Sequence, residues 1–243
     1  MKVTAVIQAR MGSTRLPGKV LMDLGGKTVL ARVVDRLRRA TLVNEILVAT
    51  TDSIADDAII QECRRIDVAS FRGSEDDVLD RYYQAALLTT GEGIVRITSD
   101  CPLIDAQIAD DTIRSFLDLR PDYASNSLQR TYPRGLDTEV MTRDALACAW
   151  REAQFPYQRA HVTPYLYENP GRFDILAVKG CFDYSDQRWT LDTPQDLAFI
   201  RAVYERLGND DSFTWHDAMV VLQREPELVE LNRGVMQKAL HEG

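Results

Sequence analysis

Val3-Thr4-Ala5-Val6-Ile7-Gln8-Ala9-Arg10-Met11-Gly12-Ser13-Thr14-Arg15-Leu16-Pro17-Gly18-Lys19 begins as a near-continuous apolar run and turns into a loop with two glycines and three cations. A run of this kind reads as a strand buried on both faces, as strands of a parallel sheet are. The loop offers what a triphosphate needs: backbone N–H donors, close approach at Gly12 and Gly18, and Arg10, Arg15 and Lys19 for anionic oxygens. A flexible surface loop with ordinary cations is the alternative. Position argues against it, because open α/β sheets bind ligands at the carboxyl ends of their strands.

Outward from this stretch the same alternation continues. Ile46–Thr50 and Gly93–Thr98 read as further buried strands. Val29, Leu30, Val33, Val34 and Leu37 form one apolar stripe of a helix, with Arg32, Arg36 and Arg39 on another, solvated face. Ser53-x-x-Asp56 and Ser74-x-x-Asp77 read as capping-box starts of two more helices. The β-α-β-α order predicts an α/β fold with a doubly wound, mostly parallel mixed sheet. In the second half Asp122–Asn126, Thr138–Met141, Arg172–Val178 and Gln187–Leu191 read as strands. Arg143–Ala153, His161–Glu168, Pro194–Leu207 and Trp215–Arg224 read as helices. No linker or repeat interrupts the chain, so residues 1–243 are expected to form one domain, with a nucleotide-binding half of about 1–120 and an acceptor-side half of about 121–243.

Composition bounds the function. The chain has 243 residues, 45% hydrophobic and 27% charged, enough for a self-sufficient core. Its net charge of −8 argues against a general nucleic-acid or anionic-membrane surface. Residues 1–40 nevertheless carry nine basic and two acidic side chains, which points to a localised anion site. Cys63, Cys101, Cys148 and Cys181 form no C-x-x-C pair and lie near no histidine at zinc-finger spacing, so reduced thiols in a cytoplasmic protein are expected. The N-terminal apolar run is too short for a signal peptide, and no apolar stretch reaches the length of a membrane span. Trp150, Trp189 and Trp215 are expected in the core or at an interface.

Counting excludes two common phosphate loops. A Walker A motif needs four residues between its first glycine and Gly-Lys-Ser/Thr, whereas Gly12 and Gly18 enclose five and Val20 follows Lys19. Gly26-Lys27-Thr28 would need glycine at position 21 and has Leu21. The G-x-G-x-x-G fingerprint is absent from the first turn.

The loop Ala9-Arg10-Met11-Gly12-Ser13-Thr14-Arg15-Leu16-Pro17-Gly18-Lys19 resembles the signature of the CMP-sugar synthetases, the CMP-KDO and acylneuraminate cytidylyltransferases. Beginning Ile7-Gln8-Ala9-Arg10, it is most similar to their spore-coat polysaccharide biosynthesis F-type branch. Ala49-Thr50-Thr51-Asp52, Arg72-Gly73-Ser74, Ser99-Asp100-Cys101-Pro102-Leu103 and Leu191-Asp192-Thr193-Pro194-Gln195-Asp196-Leu197 agree as well. The resemblance therefore runs from residue 7 to 197. It implies the nucleotidyltransferase type of sheet and a Mg²⁺-dependent transfer of CMP from CTP to a 3-deoxy-2-ulosonic acid or related anionic sugar. It also implies a homodimer, and no nucleic-acid or membrane partner.

Residue by residue, the resemblance implies nucleotide contacts at Ala9, Arg10, Gly12, Ser13, Arg15, Lys19, Thr50, Asp52, Gly73, Ser74 and Asp100. Arg15, Lys19 and Asp100 would be catalytic, and Asp100 and Asp192 would hold the metal. Asp100 ends a strand at the carboxyl edge, and a cap on the following helix is its ordinary alternative. Asp192 is not needed to start its helix, because Pro194 suits the first helical position, Thr193 the N-cap and Asp196 the capping-box return. Its carboxylate is then free to face the cleft. On the acceptor side Arg134, Asp137, Glu139, Arg159 and His161 mix cations and carboxylates in blocks with Tyr132 and Tyr165, as an anionic polyhydroxylated sugar requires. A histidine base at His161, His216 or His241 is possible but not demanded. Gln8 and Cys101 stand where the CMP-KDO enzymes have Pro and Glu, which leaves the acceptor open. The rival reading is a glycosyltransferase that consumes a nucleotide sugar. Such enzymes commonly use a D-x-D motif, which this sequence lacks.

Overall fold

The computed structural model describes residues 1–240, so His241 lies outside the described residues. In chain order the first half runs β1 (Val3–Gln8), a small hairpin of β2 (Asp23–Leu24) and β3 (Lys27–Thr28), α1 (Val29–Leu37), β4 (Glu45–Thr51), α2 (Asp57–Arg65), β5 (Ala69–Gly73), α3 (Val78–Leu87), β6 (Gly93–Thr98) and α4 (Ala106–Leu119). The second half runs β7 (Tyr123–Ser125), β8 (Glu139–Thr142), α5 (Arg143–Glu152), α6 (Pro156–His161), α7 (Pro164–Tyr167), β9 (Ile175–Ala177), α8 (Pro194–Arg206), α9 (Trp215–Arg224) and α10 (Glu227–Glu230).

Seven strands form one sheet in the order β5-β4-β1-β6-β8-β7-β9. All its pairings are parallel except those of β8, which runs against both β6 and β7. The chain starts in the middle with β1, steps outward through β4 to β5, then crosses back to place β6 on the other side of β1. That reversal opens a crevice at the carboxyl ends of β1 and β6. Gln8 pairs with Thr98, and Ser99 N donates to Gln8 O at 3.0 Å, so the loops leaving both strands start at one level.

Period-two alternation builds a core on each face. Ala5 and Ile7 of β1 pack with Val33, Val34 and Leu37 of α1 and Ile113 and Phe116 of α4. Val6 packs the other way, with Leu79 and Tyr82 of α3 and Leu146 of α5. A third cluster joins Leu16 and Leu24 to Trp189, Leu191, Phe199, Ile200, Val203 and Tyr204, seating α8 beneath the loop that follows β1.

Several local expectations are corrected. Gln187–Leu191 is extended but not a strand: among the described residues it makes one isolated bridge, Arg134 to Arg188. Its neighbour turns away at Gly135, where φ is +110° and a Cβ would stand 2.6 Å from the Trp189 backbone, so the position suits glycine alone. No single helix spans 161–168: α6 ends at His161, Val162 at φ 72° breaks the chain direction, and Pro164 starts the short α7 that ends at Tyr167. Ser53 caps nothing with its side chain; Asp56 instead turns inward. Asp77, not Ser74, caps α3 by accepting Asp80 N at 2.9 Å, while Ser74 Oγ accepts Asp77 N.

The largest correction concerns α1. Arg32 and Arg36 are not on a solvated face: they are 1% and 2% exposed. Arg32 donates to Leu24 O, Gly25 O, Asn209 O and the Asp211 carboxylate, and lies 4.7 Å from the Tyr204 ring centre. Arg36 donates to Ile104 O and Asp211 O and covers the Phe213 ring at 3.9 Å. Planar, weakly hydrated guanidinium groups tolerate such burial when carbonyls and aromatic faces receive them. Arg39 alone of the three is exposed.

Candidate active site

The loop after β1 is fixed at both ends and in its middle. Ala9 N donates to Ala49 O at 3.1 Å, and Met11 N to Asp56 Oδ1 at 2.8 Å. Ser13 N and Gly18 N both reach back to Met11 O. Gly18 has φ +70°, a left-handed conformation that costs glycine little. Leu16 is buried in the third apolar cluster, which draws the loop's centre onto α8. The chain then makes a short 3-10 turn, Lys19–Leu21, that buries Lys19.

From that turn the Lys19 ammonium reaches Leu191 O at 2.7 Å, Asp192 Oδ1 at 2.8 Å and Asp100 Oδ2 at 2.9 Å. Residues from three distant stretches thus meet at one nitrogen. Asp100 follows β6 and is not a helix cap; Asp105 caps α4, accepting from Gln107 N and Ile108 N. Burial alone would raise the Asp100 pKa, but the Lys19 charge and hydrogen bonds hold it well below the usual carboxylate range. Burial would likewise lower the Lys19 pKa, and Asp100 and Asp192 outweigh it, so the ammonium stays protonated.

Asp192 sits where its sequence position suggests but is not free. Its Oδ2 accepts a hydrogen bond from Arg188 at 2.9 Å and forms an ion pair with Arg15 at 2.9 Å. Thr193 and Asp196 form the reciprocal capping box of α8. Asp196, fully buried, also binds Arg188 Nε at 2.9 Å and Asn232 Nδ2 at 3.0 Å. Burial would raise the Asp196 pKa, but Arg188, the Asp192 N–H and Asn232 together bring it below the ordinary carboxylate value, so its carboxylate is held ionised. Arg188 is a site residue that the sequence reading misses. The available signal is its spacing, four residues before Asp192 and eight before Asp196.

Elsewhere on the carboxyl edge, Arg10 is exposed and lies 3.8 Å from Glu75. At Gly12 a Cβ would stand 3.1 Å from Glu75 Oε1, so the backbone approaches β5's exit closely. Asp52 is exposed with its N bound to Gly73 O at 3.0 Å, while Ser74 O accepts Arg81 at 2.7 Å. Thr50 points inward: with Thr51 it donates to Asp56, the carboxylate that also anchors Met11. Ala9 is buried.

The five acceptor-side residues are not gathered into one group. Asp137 holds Arg130 through both oxygens. The Arg134 side chain is half-buried and has no hydrogen-bond partner among the described residues; burial and its cationic neighbours Arg130 and Arg188 lower its pKa. Glu139 is buried and bonded to Arg96, Tyr123 Oη and Thr163 Oγ1. Arg159 ties Asp77 to the carbonyls of Trp150 and Ala153. His161 Nε2 lies 2.9 Å from Leu240 O.

The segment after α10 crosses the mouth of the cleft. Met236 O accepts Arg15 at 3.4 Å, and Gln237 Oε1 accepts Arg188 at 2.7 Å. A cavity of about 520 Å³ on one side is lined by Arg134, Gln187, Arg188, Asn232 and Gln237 among others. Another of about 570 Å³ is lined by Arg15, Thr193, Gln195 and Met236 among others.

Among the described residues no group of three or more His, Cys, Asp or Glu side chains is set to hold a metal. Asp100 and Asp192 nonetheless converge on a single cation. Two carboxylates, with phosphate oxygens and water completing the shell, are what Mg²⁺ prefers, so the donor set fits that ion. No described helix is long and apolar enough to cross a membrane.

The sequence pattern of the family described as cytidylyltransferase matches residues 4–222. The chain is 38% identical to an uncharacterized protein of Methanocaldococcus jannaschii, over 100% of this chain and 99% of that protein. It is 33% identical to the spore coat polysaccharide biosynthesis protein SpsF of Bacillus subtilis, over 91% of this chain and 94% of that protein. Among solved structures, a cytidylyltransferase from Leptospira borgpetersenii serovar Hardjo-bovis superposes with a TM-score of 0.91 at 34% identity, covering 98% of this chain and 100% of that chain.

Proposed function

The chain belongs to the cytidylyltransferase family, and on that premise we propose that it transfers CMP from CTP to an anionic sugar, a 3-deoxy-2-ulosonic acid or a related compound, in surface polysaccharide or glycan biosynthesis. The observation that carries this reading is the meeting of Lys19, Asp100 and Asp192 at the switch point of the sheet. Arg10 and Arg15 stand on the same loop.

In this reading an acceptor oxygen attacks the α-phosphorus of CTP in line, the bond to the bridging α–β oxygen breaks, and pyrophosphate leaves. The demands are positioning and charge neutralisation rather than covalent catalysis. Arg10, Arg15 and Lys19 hold the triphosphate and balance charge on the leaving pyrophosphate. Asp100 and Asp192 hold Mg²⁺, which when bound neutralises phosphate oxygens and orients them. The base and ribose lie over the exits of β1, β4 and β5, near Ala9, Gly12, Ser13, Asp52, Gly73 and Ser74, with Thr50 acting through Asp56 to fix the loop.

On the acceptor side, Arg134 is a cation without a partner among the described residues, and it lines the cavity beside Arg188. A sugar carboxylate or phosphate suits it. Asp137 acts through Arg130, whereas Glu139 and Arg159 are engaged in structural networks, and His161 flanks the chain's last described residue. The name of the Bacillus subtilis relative, a spore coat polysaccharide biosynthesis protein, supports a sugar acceptor. The reading includes a homodimer in the cytoplasm, without nucleic-acid or membrane partners.

The test is pyrophosphate release with Mg²⁺, each of the four NTPs, and a panel of sugar acids and sugar phosphates. Release with CTP and an anionic sugar is expected. No release from any NTP would sink this reading, and turnover of a nucleotide sugar without pyrophosphate would favour the glycosyltransferase one.

A further inference from the structure

The Lys19 side chain is only 10% exposed, and its ammonium makes three hydrogen bonds among the described residues, to Asp100, Asp192 and Leu191 O. An ammonium has three donors and no acceptor, so in this arrangement none remains for a phosphate oxygen. The same nitrogen lies 2.9 Å from one candidate metal ligand and 2.8 Å from the other. A divalent ion held by Asp100 and Asp192 would compete for the oxygens the ammonium now engages.

Resting on the reading of Asp100 and Asp192 as the metal pair, we propose that Lys19 is a positioning residue that occupies the metal's place: it holds the two carboxylates together without metal, and divalent metal enters only when the nucleotide phosphates give the ammonium a new partner. Metal loading is thereby coupled to CTP binding through one side chain.

The surroundings support an exchange of this kind. Asp192 divides its oxygens, Oδ1 to Lys19 and Oδ2 to Arg15 and Arg188. Departure of Lys19 therefore frees Oδ1 for a metal while the two arginines keep the carboxylate in place. Asp100 has Lys19 as its one ion-pair partner among the described residues, so it cannot remain unneutralised when the ammonium leaves. Something of positive charge must follow, and a divalent ion between the two carboxylates satisfies both. With the ammonium still in place, Lys19, Arg15 and Arg188 already balance the carboxylates, and an added dication meets repulsion without desolvated acceptors to offset it.

The probe is Mn²⁺ alone, its free concentration read by electron paramagnetic resonance in the absence of nucleotide. Lys19→Met should bind Mn²⁺ tighter than the wild type by at least about tenfold, the scale of ordinary coupling between sites. Adding Asp192→Asn should remove the gain. Equal or weaker binding by Lys19→Met, with its melting temperature near that of the wild type, overturns the proposal. A second measurement needs no variant. In ¹⁵N spectra of the lysine side chains of the wild type, Mg²⁺ alone at millimolar concentration should leave the Lys19 signal in place, and Mg²⁺ with CTP should move it. A signal displaced by Mg²⁺ alone, or unmoved by both together, overturns the proposal as well. These failures differ from failure of the reading beneath it, which is pyrophosphate release that needs no divalent metal and is indifferent to Asp192→Asn.

Discussion

Two groups of cations in the first forty residues have opposite fates. Arg10, Arg15 and Lys19 stand on the loop after β1, where their ionic partners are Glu75, Asp192 and Asp100 at the sheet's carboxyl edge. Arg32 and Arg36 stand on α1, where five backbone carbonyls, the Asp211 carboxylate and two aromatic rings enclose them. The two groups are equivalent by charge type. What separates them is the partner: a carboxylate at a cleft can be exchanged for a phosphate or shared with a metal, whereas a buried carbonyl has no substitute for its donor. The basic excess of the N-terminal segment is therefore partly a site and partly a structural fastening of α1 to the segment 209–213.

The largest effects should fall on the exchangeable group. Asp100→Asn and Asp192→Asn should each lower turnover by on the order of 10²-fold or more, measured as pyrophosphate release at saturating CTP. Asp192→Asn should also lower the melting temperature, because its single amide oxygen serves the arginines while its NH2 faces the Lys19 ammonium, so turnover is compared per folded molecule. Near-normal turnover in either variant would take that residue out of the chemistry and break the comparison on its functional side.

On the structural side, Arg32→Met should destabilise the fold by about 1–3 kcal/mol, since Leu24 O loses its donor in the interior and Asp211 keeps only Lys27 as an ion-pair partner among the described residues. Denaturant unfolding checks this. Turnover per folded molecule should stay within about twofold. A variant that folded normally but failed to bind CTP would place Arg32 with the site instead. Arg10→Ala gives the converse. An exposed pair at 3.8 Å contributes little to stability, within about 0.5 kcal/mol, yet the KM for CTP should rise by about three- to tenfold if the guanidinium holds phosphate.

The comparison also explains what is legible in the sequence. Strands β1, β4 and β6 announce themselves as apolar runs because they are covered on both faces, and the loop after β1 carries its chemistry in contiguous residues. Asp100 and Asp192 are legible because each lies in a stretch that carries the family resemblance, Ser99-Asp100-Cys101-Pro102-Leu103 and Leu191-Asp192-Thr193-Pro194-Gln195-Asp196-Leu197. Burial of Arg32 and Arg36 is not, because helical periodicity assigns a face to solvent unless a later segment covers it, and the covering residues lie about 175 positions downstream at Asn209 and Asp211. Arg188 is hidden for the same reason: its partners Asn232 and Gln237 come from beyond α9. The apolar–polar–apolar order of Trp189, Thr190 and Leu191 imitates a strand in the sequence, although all three are buried and only one bridge forms there among the described residues. The acceptor side stays obscure because Glu139 and Arg159, read as sugar ligands from their types, find protein partners that the chain brings from 96, 123, 163 and 77.

The smallest expected effect is the most discriminating one for α1. Arg39 is one helical turn beyond Arg36 and belongs to the same run, but it is exposed and its guanidinium donates to Ser212 O at 3.2 Å. Its removal leaves that carbonyl to water at almost no cost, so Arg39→Ala should change stability by no more than about 0.5 kcal/mol. Arg36→Met, tested beside it, strands Ile104 O and uncovers the Phe213 ring, and should cost several times as much. Equal effects from the two would mean that charge along the helix, not the identity and burial of each partner, sets the stability of this segment. A difference of about tenfold or more in the unfolding equilibrium would tie it to the partners, residue by residue.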